Sequence, residues 1–141
     1  MDRRGIVLAG LAAAGCTAHS PVQVQKLFFL IDRNIPDEIG GPLFDFQPYN
    51  YGPFDSDVYS VLEDLASESL VEIARVYTWR EYRLTDEGLV RGKRILAQLS
   101  VRARSYIGVA SAFVRRLSFI ELVRAIYAAY PEMRANSVFQ D

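Results

Sequence analysis

The chain has one cysteine and one histidine, and they stand close together in Cys16-Thr17-Ala18-His19. A thiol and an imidazole at that spacing could share a metal ion or act as nucleophile and base. A structural zinc site needs a full tetrahedral ligand set, and no Asp or Glu lies between Asp2 and Asp32 to complete one. The pair also falls at a junction between two helical patterns with no evident oxyanion donor, so a structural role is expected. Asp55 and Asp57 are the other candidates, as a carboxylate pair for acid–base work. At the start of a helical pattern they are better explained as capping and dipole residues. Gly40-Gly41-Pro42 lacks the Lys-Ser/Thr of a phosphate loop. No catalytic residue, metal ligand or cofactor is expected, and the chain reads as a binding protein rather than an enzyme.

Two sets of residues could bind a macromolecule. The first is basic and aromatic. Arg75, Arg80 and Arg83 are interleaved with Tyr77 and Trp79, and Arg91, Lys93 and Arg94 follow. Such a set can grip phosphates while its rings contact sugars or bases. The plainer alternative is a solvated arginine face with both rings packed on a strand ribbon. The second set is Tyr49, Tyr51, Phe54 and Tyr59, joined by Asp55, Asp57 and Glu63. Tyrosine combines a large apolar area with a polar tip, which suits protein interfaces. The plainer alternative is that these rings cover the core beside the Gly52-Pro53 turn.

Composition bounds these readings. The 141 residues suit one domain, half of them are hydrophobic, and 12% are aromatic, which argues against a disordered chain. The net charge of −1 announces no nucleic-acid partner. The distribution says more: residues 32–72 hold ten acidic and one basic side chain, whereas residues 73–116 hold ten basic and three acidic. Opposed charge regions can orient a partner or a second copy, or neutralise each other within the fold. The lone cysteine excludes an internal disulfide and fits a reducing compartment. No apolar run approaches the ~20 residues of a membrane span, and a cytoplasmic location is expected.

The elements that must position these residues follow from periodicity. Arg3 and Arg4 precede an apolar run, Gly5 to Ala14, that imitates a short secretory signal or lipoprotein site. The spacing of Ile6, Leu8 and Leu11 also suits a helix packed on the core and ending at Gly15, and that is the expectation. Ser20-Pro21-Val22-Gln23 predicts a capped helix start. Val24, Leu27, Phe28 and Ile31 line one face, and Phe29 and Leu30 widen it until the helix is buried nearly all round. With the first helix it makes a helix–turn–helix-like pair. Residues 34–42 are a Gly/Pro-rich connection. Leu43 to Tyr49 alternates and predicts a short strand able to add to a later ribbon.

Pro53 is expected to stop any earlier strand, because it has no N–H to donate. Asp55 or Ser56 then caps a helix, with Val58, Val61, Leu62 and Leu65 on its buried face. Ser67 to Ser69 end it. Leu70 to Ile73 and Val76 to Leu84 predict a two-stranded ribbon, with a turn near Tyr77 to Arg80. Thr85 caps a helix over residues 85–99, and residues 100–116 continue as a basic helix with Ile107, Ala110, Phe113, Val114 and Leu117 inward. Ser118 and Glu121 form a second capping box before a helix ended by Tyr130-Pro131. Residues 132–141 read as a tail that packs through Met133, Val138 and Phe139 or not at all.

Helix, ribbon, helix in this order is the pattern of winged-helix domains. The expected fold is mainly α (α+β): a winged-helix-like core over residues 17–99, a short two- to three-stranded antiparallel sheet, and a C-terminal helical extension over residues 100–131. In DNA-reading winged helices the helix before the wing enters the major groove. Here that helix carries Asp55, Asp57, Glu63 and Asp64 and no Lys or Arg, so phosphates would repel it.

Several of these segments together resemble a family. They are Gln25 to Leu30, the aromatic run Phe44 to Tyr49, Tyr51-Gly52-Pro53-Phe54-Asp55-Ser56-Asp57-Val58-Tyr59, the ribbon, Tyr82 to Gly88, and Leu122 to Pro131. The chain resembles the Panacea antitoxin domain and its small bacterial and archaeal relatives over residues 20–131. The resemblance implies neutralising a toxin, or serving as an adaptor, by protein contact. A protein partner is therefore the first expectation, DNA binding through the basic ribbon the alternative, and a homodimer through the helices after Ser100 a third.

Overall fold

The computed structural model describes residues 1–139; Gln140 and Asp141, the end of the expected tail, lie outside the described residues. The fold is mainly helical, with small antiparallel two-stranded sheets. The first helix, α1 (Arg3–Ala12), is capped by Asp2, whose side chain accepts from the Gly5 N–H. Gly5 through Ala12 are all buried, so this Ala-rich segment packs as an inner helix. Gly15 follows in the left-handed region at φ 67°.

The second helix, α2 (Pro21–Asn34), starts at the expected capping box of Ser20 and Gln23. It is buried continuously from Val24 to Asp32, including the polar Gln25, Lys26 and Asp32. Asp32 accepts from the Leu43 and Phe44 N–H groups at 3.0 and 2.8 Å, which ties the Gly/Pro-rich connection to α2. That connection contains the short helix α3 (Pro36–Ile39).

The region 43–56 differs from the sequence-based expectation. Leu43 to Tyr49 does not add to the later ribbon. Its end forms β1 (Gln47–Tyr49), which pairs antiparallel with β2 (Gly52–Phe54) as a separate hairpin. Pro53 therefore lies inside a strand instead of stopping one. The register places it opposite Pro48, so both residues without an N–H share one position and the ladder loses little. Gly52 has φ 107°, a conformation closed to most side chains.

Helix α4 (Asp57–Ser67) starts slightly later than expected, because the Asp55 carboxylate accepts from the Asp57 N–H at 2.8 Å and from the Asp45 N–H at 2.7 Å. Val58, Val61, Leu62 and Leu65 are its buried face. The ribbon follows as β3 (Val71–Val76) and β4 (Trp79–Leu84), with Tyr77 at φ 56° in its tight turn. The ribbon sheet has two strands, the lower end of the expected two to three. One residue supplements it: His19 exchanges both backbone hydrogen bonds with Tyr82, at 2.8 and 2.9 Å.

Helix α5 (Asp86–Gln98) packs along α1. Gly92 permits this approach, since a Cβ there would lie 2.5 Å from the Leu8 carbonyl oxygen; Gly88 permits a different one, since a Cβ there would collide with the Leu70 carbonyl before β3. Helices α6 (Val101–Arg116) and α7 (Phe119–Ala129) close the far side, α7 from the Ser118–Glu121 capping box. A 3₁₀ turn over Pro131–Arg134 buries Met133. One hydrophobic cluster runs from Ile6 to Met133.

A candidate protein-binding groove

The N-terminal turn of α2, the β1–β2 hairpin, Tyr59 on α4, Trp79 on β4 and the α6–α7 junction surround a groove of about 680 Å³. Its walls are largely aromatic because the hairpin brings three rings to one edge. Tyr49 stacks on Phe54 with centroids 4.8 Å apart, Phe54 meets Tyr59 edge-on at 5.8 Å, and Tyr59 stacks on Tyr82 at 5.9 Å. Tyr51 meets Phe119 edge-on at 5.1 Å across the opening. Tyr49, Tyr51, Trp79 and Phe119 each keep 43–50% of their surface exposed, so the rim is available for contact. Burial pushes the Tyr59 hydroxyl up to about 12, so that ring stays neutral.

Polar contacts fix the hairpin against α2. The Gln25 amide brackets one backbone position: its Nε2 donates to the Asp55 carbonyl, and its Oε1 accepts from the Asp55 N–H, both at 3.0 Å. The tail straps the hairpin from outside. Val138 N–H donates to the Asn50 carbonyl at 2.9 Å, and Asn136 donates to the Pro48 carbonyl at 3.2 Å. Phe139 packs on Phe119 and Tyr127, and Val138 leaves its side chain exposed.

Among the described residues Lys26 is the only charged side chain lining the groove. It is 3% exposed, and its Nζ donates to the Pro53 carbonyl oxygen at 3.3 Å. Among the described residues no carboxylate forms an ion pair with it. Burial lowers its pKa to about 7, because the charged form loses its hydration without a counter-charge.

Of the tyrosine-rich set, Tyr49, Tyr51, Phe54 and Tyr59 line the groove, and Trp79 from the basic set joins them. Asp55, Asp57 and Glu63 do not. Asp55 caps α4, Asp57 pairs with Arg3 at 2.9 Å, and Glu63 pairs with Arg80 at 3.1 Å. The basic set spreads over two elements. Arg75 stands opposite Arg80 in the ribbon, and Arg83 opposite Glu72. Arg91, Lys93 and Arg94 lie exposed on α5, with Arg91 paired to Glu87 at 3.0 Å. Tyr77 is exposed at the ribbon tip and contacts Trp79 at 5.5 Å between centroids.

Among the described residues no group of three or more His, Cys, Asp and Glu could hold a metal ion. His19 is fully buried; its Nδ1 lies 3.0 Å from the Thr17 carbonyl, and its Nε2 has no partner. Burial lowers its pKa to about 4, with Arg115 adding to the effect, so it is neutral at pH 7.

Sequence reasoning did not assign Lys26, Leu117, Phe119 or Leu122 to a site. The usable signal was a lysine directly followed by the apolar run Leu27 to Ile31 in a helix buried nearly all round. No helix among the described residues is long and apolar enough to cross a membrane. No family model, curated protein or solved structure matches the chain.

Proposed function

We propose that this chain is a winged-helix-like adaptor of the antitoxin type, which works by holding an apolar segment of a partner protein in the aromatic groove. The observation that carries this reading is the groove itself: a concave, ring-lined opening with an exposed aromatic rim on a hairpin anchored by Gln25 and the tail. Concave apolar sites flanked by Tyr, Trp and Phe concentrate binding energy in a few anchors. The element order supports the winged-helix part: α1, the His19 bridge, α2, α4, then the β3–β4 wing. The acidic α4 argues against the usual insertion of the pre-wing helix into DNA.

The test is capture by the tagged full chain from its native host, with and without nuclease. A stoichiometric protein retained after nuclease treatment, and lost with Tyr51→Ala/Phe119→Ala, supports the reading. Retention unaffected by that double substitution removes the groove as the docking site. A second reading, DNA contact through the wing, draws on Arg75 and Arg80, opposite each other beside the exposed Tyr77 tip, and on Arg83 toward the base of the ribbon. It predicts salt-sensitive DNA recovery that disappears with Arg80→Glu/Arg83→Glu.

A further inference from the structure

A buried lysine is normally matched by a carboxylate, because an unpaired ammonium in an apolar setting is costly. Among the described residues Lys26 has no such match. An ammonium offers three N–H donors, and the structure gives Lys26 one acceptor, the Pro53 carbonyl. The remaining surroundings are rings, aliphatic side chains and the neutral groups of the groove.

The position also looks built rather than incidental. Gly52 is held at φ 107°, and a Cβ there would stand 3.5 Å from both Cε and Nζ of Lys26 and 3.4 Å from the Tyr127 ring. The hairpin backbone thus closes directly over the amine, and the Gln25–Asp55 bracket fixes that closure one residue along α2. A surface lysine would swing into water; this one is confined by α2, β2 and α7 at the floor of an open groove.

We propose that Lys26 is the anion anchor of the groove, and that the docked partner segment presents a carboxylate next to an apolar or aromatic side chain. This rests on the groove being the docking site. The carboxylate supplies the missing counter-charge, and the neighbouring apolar side chain fills the space between Tyr51, Phe54, Phe119 and Leu122. A charge-assisted contact in a water-poor site is stronger than its neutral equivalent. The carboxylate can come from the partner's C-terminus or from an Asp or Glu side chain.

The probes are acetyl-Leu-Phe as the free acid, the same peptide as its amide, and acetyl-Glu-Phe amide, titrated into the full chain and followed by NMR. At least one carboxylate-bearing peptide should bind about tenfold or more tighter than the neutral amide. That preference should vanish in Lys26→Met, with the affinity for the neutral amide kept. Preference for the free acid alone assigns the anchor to a C-terminus, and preference for acetyl-Glu-Phe amide alone assigns it to a side chain. Lys26→Gln is the second variant should the Met substitution disturb folding, with circular dichroism as the check. Equal binding of all three peptides overturns the proposal, as does a preference that survives both substitutions. Equal binding leaves apolar docking intact and removes only the anchor. Absence of any binding overturns the anchor, and the Tyr51→Ala/Phe119→Ala capture then decides the groove separately.

Discussion

Two regions of the molecule handle ionisable groups in opposite ways. Around α4, the ribbon and the ends of α1 and α5, charges sit at the surface with partners: Arg3 with Asp57, Arg4 with Glu68, Arg80 with Glu63, Arg91 with Glu87. The Arg4 hydrogen bond holds the Glu68 carboxyl below its ordinary range. At and near the groove, Lys26 and His19 are buried without a counter-charge among the described residues. Exposed pairs contribute little individually, since water screens them and long side chains lose entropy on pairing. Buried unpaired groups oppose stability and persist where something else requires them. Glu63–Arg80 and Glu38–Arg102 join the acidic block of the sequence to the basic one, whereas among the described residues no carboxylate pairs with Lys26.

The comparison can be broken most severely at the groove rim. Tyr51→Ala/Phe119→Ala should weaken partner capture by about 30-fold to 1000-fold, the range for losing central aromatic anchors. Asp57→Lys/Glu63→Lys, on the paired side, should change capture far less, because neither carboxylate lines the groove. Equal losses in a titration of the captured partner would erase the distinction.

The next effect is acid sensitivity from His19. Its folded pKa, about 4, lies below the ordinary 6.5 of the unfolded chain. Between these values the unfolded state binds more protons, so stability is full above pH 6.5 and is lost as pH falls toward 4. The loss should reach roughly 3 kcal/mol in urea titrations at a series of pH values. His19→Phe should lack that component, with the other carboxyl titrations unchanged.

Lys26 gives an effect of the same kind at the alkaline end. Its folded pKa, about 7, lies below the usual 10.5, so the unfolded chain binds more protons between them and stability rises from pH 7 toward pH 10. Lys26→Met should be more stable than the parent near neutrality, on the order of 2 kcal/mol, and the gap should shrink toward pH 10. A Met variant that is less stable at pH 7 would show that the amine is stabilised by its surroundings. Least of all, Arg80→Ala should cost no more than about 1 kcal/mol and should become silent in high salt.

Local patterns were legible where local physics sets them. Both capping boxes, the Thr85 cap and the all-round burial of α2 follow from residues within a few positions of one another. The ring cluster 49–59 was also visible. Its neighbours were not, because Phe119 and Leu122 reach the groove from an element far along the chain. The strand 43–49 was visible as an alternating segment, but its partner was misassigned. Pro53 looked like a strand breaker until the register set it against Pro48. A proline blocks a ladder only where an N–H is required, and register is a property of two strands rather than one.

By itself, then, the sequence determined the longer helices, the caps at Ser20, Thr85 and Ser118, the β3–β4 ribbon and the opposed charge blocks, since each depends on short-range periodicity or composition. The tertiary structure decided which charges met. It joined Glu63 to Arg80 and Asp57 to Arg3, and left Lys26 alone at the base of a ring-lined groove. A lysine's burial and the absence of a counter-charge are set by every element packed around it, and no stretch of sequence contains them all.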